Sequence, residues 1–340
     1  MSAPGELLLE TRGLTTRLET DTGTIRPVND VTLRIHSGET LAVVGESGSG
    51  KSMLAFSLIR LLPPVGSIEA GSILWKGQDL LAMSNEQIRR VRGKQIALIF
   101  QESGAALNPV RTIGDQLAEP LRAHLALSRK AARERAVELL AEVRIPDPSE
   151  RAKDYPHQLS GGMKQRVLIA MAISCDPELV IADEPTTALD ATLQARILDL
   201  LARLKAERRL SLLLITHDLA LVRANTDRVA VMYAGRIVEE GASHSILDDP
   251  RHPYTRGLWQ SVPRSRGGAP GKAKLAAMAG MVPHLAALPP GCAFSPRCPV
   301  RFEPCDREVP SLQKTSGGTD RFHQSACYQE ASVLQAMRVR

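Results

Sequence analysis

The sequence predicts an α/β fold: a parallel, mostly buried sheet with a small antiparallel β subdomain, an inserted helical subdomain and a short cysteine-containing C-terminal extension. Three observations predict it. Short apolar runs, Glu39–Gly45, Gln95–Gln101, Leu179–Asp183 and Ser211–His217, alternate with helical patterns, as strands buried on both faces require. Residues 112–143 contain no strand-like run and are rich in Ala, Leu, Glu and Arg. After Gly241 the pattern breaks, and a Pro-, Gly- and Ala-rich stretch from Pro263 to Pro290 leads into a Cys/Pro segment.

The elements follow in order. Leu7–Thr20, Ile25–Ile35 and Gly71–Lys76 alternate apolar and polar residues between turn residues, which fits the antiparallel sheet. Ala55, Leu58, Ile59 and Leu62 predict a helical stripe after the strand Glu39–Gly45. Ser128 is placed to N-cap a helix over Arg129–Val143. Leu193, Ile197, Leu200, Leu201 and Leu204 fall on one face of a crossover helix between 192 and 208. The expected domains are 1–245, with the helical subdomain at about 102–175, and 246–340.

The chain has 340 residues, a prior of about two domains at ~150 residues each, and enough length for a core without disulfide staples. With 43% hydrophobic and 24% charged residues it is too apolar for a disordered chain. No run reaches the ~18 apolar residues of a membrane span, and Met-Ser-Ala-Pro-Gly-Glu lacks a secretory pattern, so a cytoplasmic location is expected. The net charge is +6, and the whole excess lies in residues 246–340, where 13 Lys and Arg face 7 Asp and Glu. A basic tail is ordinarily a solvated surface, and secondarily a sign of an anionic neighbour.

Gly45-Glu46-Ser47-Gly48-Ser49-Gly50-Lys51-Ser52 matches G-x-x-x-x-G-K-[ST] between a predicted strand and a predicted helix. Glycines let successive N–H groups turn toward phosphates, and the helix N-terminus adds positive potential. Lys51 would reach the β/γ-phosphates and Ser52 would ligate Mg²⁺. Asp183 and Glu184 end a buried strand at the sheet edge where α/β proteins place ligands, Asp183 suited to hold Mg²⁺ and Glu184 to orient or deprotonate water. Alone, paired acids at a strand end are a common surface feature. Ser160-Gly161-Gly162 opens another helix and offers a second anion-binding N-terminus, although an N-cap with a hinge explains it equally in isolation.

In motif order over nearly the whole chain, these residues resemble the ATP-binding subunits of ABC transporters, P-loop NTPases with a RecA-like core. Gly45–Ser52 resemble the Walker A loop, Gln101 the Q-loop, Ser160-Gly161-Gly162 the signature, Asp183-Glu184 Walker B, Ala188-Leu189-Asp190 the D-loop and His217 the switch histidine. The resemblance implies that ATP and Mg²⁺ are bound, that Gln101 contacts Mg²⁺ and the attacking water, and that His217 contacts the γ-phosphate. Leu107-Asn108-Pro109, Pro185–Asp190, His252-Pro-Tyr-Thr255 and the tail Gly291–Pro299 resemble the dipeptide/oligopeptide importer subfamily, which also has nickel and glycoside members. The resemblance implies an ATPase at the cytoplasmic face of the membrane, two transmembrane permease partners, a second and related ATPase subunit, an extracytoplasmic solute-binding protein acting indirectly, and no nucleic acid. A soluble non-transport ABC ATPase is the rival, weakened because 109 positions from Lys51 to Ser160 leave no room for a long coiled-coil arm. Two departures stand out: residues 1–55 contain no aromatic to stack on adenine, leaving Leu18 in that place, and Ser103–Ala106 differs from the commoner sequence after the Q-loop glutamine.

Cys175 lies at an apolar helix end and reads as a small buried hydrophobe. Cys292, Cys298, Cys305 and Cys327 follow C-x5-C-x6-C-x21-C, which in a cytosolic chain favours metal over disulfides. The wide loops favour a [4Fe–4S] cluster, with Zn²⁺ the alternative. Arg297, Arg301, Arg307 and Arg321 are expected to offset the charge of such a cluster.

Overall fold

The computed structural model describes residues 5–101, 103–187, 189–261, 278, 280–315, 320 and 322–329. Its strands are β1 (Leu7–Thr20), β2 (Gly23–His36), β3 (Thr40–Val44), β4 (Gly66–Trp75), β5 (Gln78–Asp79), β6 (Ile96–Ile99), β7 (Leu179–Asp183), β8 (Ser211–Thr216), β9 (Arg228–Tyr233), β10 (Arg236–Ala242), β11 (Gln313–Lys314) and β12 (Gln324–Ser325). They belong to two compact units. One comprises Met1–Leu9, Arg34–Thr40 and Leu74–Ile215; the other comprises Glu10–Leu33, Leu41–Ile73 and Thr216–Arg340. Neither unit ends near residue 245, because the C-terminal segment packs in the same unit as β3 and the loop after it.

In the first unit, β7 lies between β6 and β8, parallel to both, with Ile99 opposite Ala182 and Asp183 opposite Ile215. All of β7 and β8 is buried, which is why both read as uninterrupted apolar runs. Five helices between Ser103 and Ile173 form the expected helical insertion. One of them, Arg129–Glu142, begins where Ser128 Oγ accepts the Ala131 N–H and buries Ala132, Ala136, Leu139 and Leu140. The helix Ala191–Arg208 buries Ile197, Leu200, Leu201 and Leu204 of the predicted stripe, while Leu193, in its first turn, is half-buried. Cys175 is buried, and burial raises its thiol pKa, in keeping with a small hydrophobe rather than a nucleophile.

In the second unit, β1 and β2 are joined by the tight turn at Asp21–Thr22, and β1 lies between β2 and β4. β3 pairs parallel to β9, and antiparallel strands extend the sheet in the order β9, β10, β12, β11. The tail is thus sewn onto the sheet edge, Glu239 of β10 standing opposite Ser325 of β12.

The helix after β3, Lys51–Leu58, is shorter than its sequence stripe, and Leu62 lies beyond it. Arg60 adopts φ +56°, its N–H bonds the Ser57 carbonyl, and the Leu61 N–H reaches back to the Phe56 carbonyl. That is a Schellman ending, and Arg occupies the left-handed position where glycine is usual, so no glycine marks the stop.

Glu239 holds the tail from inside. Its carboxylate is wholly buried and accepts the N–H groups of Arg251 and His252 at 2.5 and 2.9 Å, while His323 Nε2 lies at 2.7 Å. His252 in turn caps the helix Pro253–Gln260, its Nδ1 accepting the Tyr254 N–H at 3.1 Å. Burial pushes the imidazole pKa down to about 3 from an ordinary 6.5. Below about pH 6.5 the unfolded chain therefore binds a proton that the folded chain refuses. Stability should fall between that pH and about 3, with a contribution from His252 of at most about 1.4 kcal/mol per pH unit. Urea titrations across this range should give a shallower pH slope for His252→Asn, which cannot be protonated; an unchanged slope would assign the dependence to other groups.

Candidate functional site

The loop after β3 begins at Gly45, and Gly50 opens the helix Lys51–Leu58. Gly50 has φ +106°, and a Cβ there would stand 1.9 Å from the Pro27 carbonyl oxygen. No other residue fits. Lys51 is buried, with Nζ donating to the carbonyls of Gly45 at 2.8 Å and Glu46 at 2.9 Å. Its ammonium is thus held by the loop that would carry phosphate. Leu18, half-buried on β1, has its Cδ2 only 2.7 Å from where a Cβ on Gly66 would lie.

Glu46 is gripped from two further directions. Its N–H donates to Tyr254 Oη at 2.8 Å, and its carboxylate receives Arg297 Nη1 and Nη2 at 2.7 and 3.0 Å. Arg297 therefore serves Glu46. Arg307 pairs with Glu303, the charge of Arg301 acts to lower the Cys298 pKa, and Arg321 lies outside the described residues.

On the first unit, Asp183 ends β7 and is 1% exposed. The parallel register, Ile99 opposite Ala182, carries Gln101 opposite Glu184 two residues further on. Gln101 Nε2 donates to Glu184 Oε2 at 2.9 Å, and Thr187 Oγ1 donates to the same oxygen at 2.8 Å. Glu184 has φ +46° while its N–H bonds the Ile215 carbonyl at 2.9 Å. A left-handed non-glycine costs about 1–3 kcal/mol, and such strain gathers at functional positions. Thr187 escaped the sequence reading; its signal is the spacing of three residues after Glu184.

Ser160 caps the helix Gly161–Ile173, its Oγ accepting the Met163 N–H at 3.4 Å, and both Ser160 and Gly161 are exposed. The buried Gly162 faces Leu193, whose methyls would lie 2.6–2.8 Å from an added Cβ. Asp190 Oδ1 caps the helix Ala191–Arg208 through the Leu193 N–H, and Ala188 lies outside the described residues. His217 follows β8 and is exposed.

Cys292, Cys298, Cys305 and Cys327 line one pocket together with His252, Phe294, Pro310 and Ala326. Burial pushes Cys298 up to about 11 and Cys327 up to about 12 and raises Cys292, and negative charge on neighbouring thiols adds to each shift. Among the described residues, however, no group of three or more His, Cys, Asp or Glu side chains is disposed to hold a metal ion. The expected ligand set is thus gathered at one pocket without a metal-binding geometry, its walls partly apolar and Cys292, Cys298 and Cys327 favoured in the protonated form.

A glycine-rich phosphate loop opening a helix, an Asp–Glu pair at a parallel strand end and a second exposed helix N-terminus define an ATP-binding cassette. The family model described as "ABC transporter" matches residues 28–187, and that described as "Oligopeptide/dipeptide transporter, C-terminal region" matches 238–305. A protein of Brucella melitensis biotype 1, named as a peptide import ATP-binding protein, is 50% identical over 94% of this chain and 96% of its own length. The dipeptide transport ATP-binding protein DppD of Bacillus subtilis strain 168 is 48% identical over 90% of each. Among solved structures, the dimeric cassette MJ0796 bound to ADP and Pi gives a TM-score of 0.63 at 27% identity, covering 69% of this chain and 99% of that one. The chain belongs to the ABC transporter ATP-binding family, in its oligopeptide/dipeptide branch.

The two signature glycines should separate in their stability effects. An added methyl at Gly161 meets only Leu189 Cδ2, at 3.9 Å, so Gly161→Ala should melt within about 0.5 kcal/mol of wild type. Gly162→Ala must displace Leu193 and should cost about 1 kcal/mol or more. Thermal denaturation of both variants decides this, and an equal loss would mean that Gly161 is also packed against its own chain.

Proposed function

We propose that this chain is the ATP-hydrolysing subunit of an importer for di- and oligopeptides, working at the cytoplasmic face of the membrane with two permease subunits and a second ATPase subunit. The name of the Bacillus subtilis relative supports dipeptide as the solute class, and the C-terminal family match over 238–305 favours a transporter over a non-transport ATPase. Among the described residues no helix is long and apolar enough to cross a membrane, so passage of the solute falls to partner chains. A solute-binding protein would deliver peptide to those partners.

The observation that carries the hydrolytic role is the Gln101–Glu184–Thr187 network. Two neutral donors fix the Glu184 carboxylate in a set direction, which suits it to orient or deprotonate an attacking water. Gly45–Ser52 would bind the phosphates of ATP, with Lys51 turning from the Gly45 and Glu46 carbonyls to the β/γ-phosphates, and His217 would contact the γ-phosphate. Mg²⁺, held by Ser52, Gln101 and Asp183, would supply charge neutralisation of the phosphates. The helix N-terminus at Ser160–Gly162, exposed at Ser160 and Gly161, together with Asp190, would serve the nucleotide of a second cassette, which accounts for a second anion site in a chain with one phosphate loop. The functional division at about residue 245 sets the cassette apart from the importer-type extension.

Glu184→Gln should leave ATP binding within about twofold of wild type and lower steady-state hydrolysis by about 10²-fold or more, since it keeps the hydrogen bonds and removes the base. Hydrolysis at the wild-type rate in the assembled transporter would remove Glu184 from the mechanism.

A second reading concerns the cysteine pocket. Four thiols on one pocket support a bound [4Fe–4S] cluster, with Zn²⁺ as the alternative, although the ligand geometry for an ion is not formed. Either would act as a structural element of the tail. Protein purified without oxygen should be brown and contain about four iron and four sulfide per chain. One zinc per chain in colourless protein would decide for the alternative, and four free titratable thiols without metal would refute both.

A further inference from the structure

The C-terminal segment does more than extend the sheet, because two of its side chains reach the phosphate loop, and both reach the same residue. Glu46 is the first residue after Gly45, so it sits within the run of backbone amides that must face phosphate. Its N–H is bonded to Tyr254 Oη at 2.8 Å, its carbonyl accepts Lys51 Nζ at 2.9 Å, and its carboxylate is held in a fork by Arg297 at 2.7 and 3.0 Å. Arg297 and Glu46 are 251 positions apart.

The clamp is itself built in. The Arg297 side chain is only 4% exposed, and its guanidinium lies 5.9 Å from the ring of Tyr233 and 5.8 Å from that of Phe294. Tyr254 is fully buried in a tilted pair with Tyr233 and against Phe294. Neither clamp residue can swing away without opening an aromatic cluster. A guanidinium fork on a carboxylate fixes direction as well as distance.

We infer that Arg297 and Tyr254 are positioning residues for ATP binding, holding Glu46 so that the phosphate loop is ordered before nucleotide arrives and the Glu46 charge is neutralised beside the phosphates. Two physical effects follow. A loop already fixed loses less conformational freedom when ligand binds, so affinity rises. A carboxylate left unpaired next to a polyanion site would repel it, and the pairing with Arg297 removes that repulsion. The residues belong to the extension and act at the cassette, so the tail is part of the nucleotide site.

This inference rests on Gly45–Ser52 being the phosphate loop, and the test keeps the two apart. Binding of a fluorescent ATP analogue, and the KM and kcat of ATP hydrolysis, are measured for Lys51→Ala, Arg297→Ala, Tyr254→Phe, Glu46→Gln and the double variant Arg297→Ala with Glu46→Gln. Arg297→Ala should weaken binding about tenfold and raise KM by a similar factor, with kcat changed less than twofold, given the strength of charge-assisted hydrogen bonds. Tyr254→Phe, which loses only the acceptor of the Glu46 N–H, should weaken binding about three- to fivefold. The double variant should recover most of the Arg297→Ala loss, because the unpaired carboxylate is gone; a merely structural role would show no recovery. Loss of binding in Lys51→Ala with wild-type affinity in Arg297→Ala and Tyr254→Phe overturns the inference and leaves the loop assignment standing. Wild-type affinity in Lys51→Ala overturns the loop assignment itself. If Arg297→Ala does not fold, Tyr254→Phe and Glu46→Gln carry the test, and wild-type binding by both would refute it.

Discussion

A phosphate loop faces one physical difficulty: its amides must stay unpaired toward the ligand while the backbone that carries them stays fixed. Here the burden falls on Glu46. Its side chain, N–H and carbonyl are each held by a different partner, Arg297, Tyr254 and Lys51, so the loop is braced around the amides rather than through all of them. Gly50 contributes the complementary constraint at the other end, approaching the Pro27 carbonyl where no side chain could stand. The arrangement of the second unit follows from the brace. Tyr254 needs the helix capped by His252, that cap needs Glu239 to anchor the neighbouring N–H groups, and Glu239 sits on β10, to which β12 is sewn.

The first unit solves a different difficulty, that of fixing a carboxylate. A carboxylate at a strand end is ordinarily free to rotate, and free rotation scatters it over many orientations. Parallel pairing of β6 and β7 removes that freedom by delivering Gln101 beside Glu184, and Thr187 closes on the same oxygen from the turn that follows. The left-handed backbone at Glu184 is tolerated because its N–H remains bonded to Ile215. Strain and hydrogen bonding thus act together, the one turning the side chain out of the strand and the other fixing where it points.

Local pattern made much of this legible. The buried strands announced themselves by apolar runs, the helix Arg129–Glu142 by its cap and the helix Ala191–Arg208 by its stripe. Gly45–Ser52 stand out because a glycine-rich loop opening a helix carries fixed residue types at fixed spacing, and Asp183–Glu184 because two acids end an apolar run. What escaped depends on long separations or on an unusual local solution. The pairing of Arg297 with Glu46 is a meeting across most of the chain that no periodicity encodes, and the basic residue was read toward the cysteines beside it. The early stop of the helix after the phosphate loop was hidden because Arg60, not glycine, takes the left-handed position. Thr187 was overlooked because a hydroxyl in a turn reads as a local cap until the carboxylate above it is seen.

The position of Arg297 also explains why the cysteines and the loop Gly45–Ser52 belong to one unit. The short helical turn Ser295–Arg297 lies between Cys292 and Cys298. The Ser295 N–H bonds the Cys292 carbonyl, the Cys298 N–H bonds the Ser295 carbonyl, and the Cys292 N–H bonds the Cys305 carbonyl. Backbone hydrogen bonds therefore connect three cysteines to the turn that aims the guanidinium at Glu46. Phe294 faces the pocket and also packs on Tyr233 and Tyr254, so the pocket wall and the tyrosine brace share a side chain. A tail that served only to cover a sheet edge would need none of this. Its cysteine loop is shaped around an arginine whose partner lies in the phosphate loop, and that contact gives the extension a physical stake in how the loop is held.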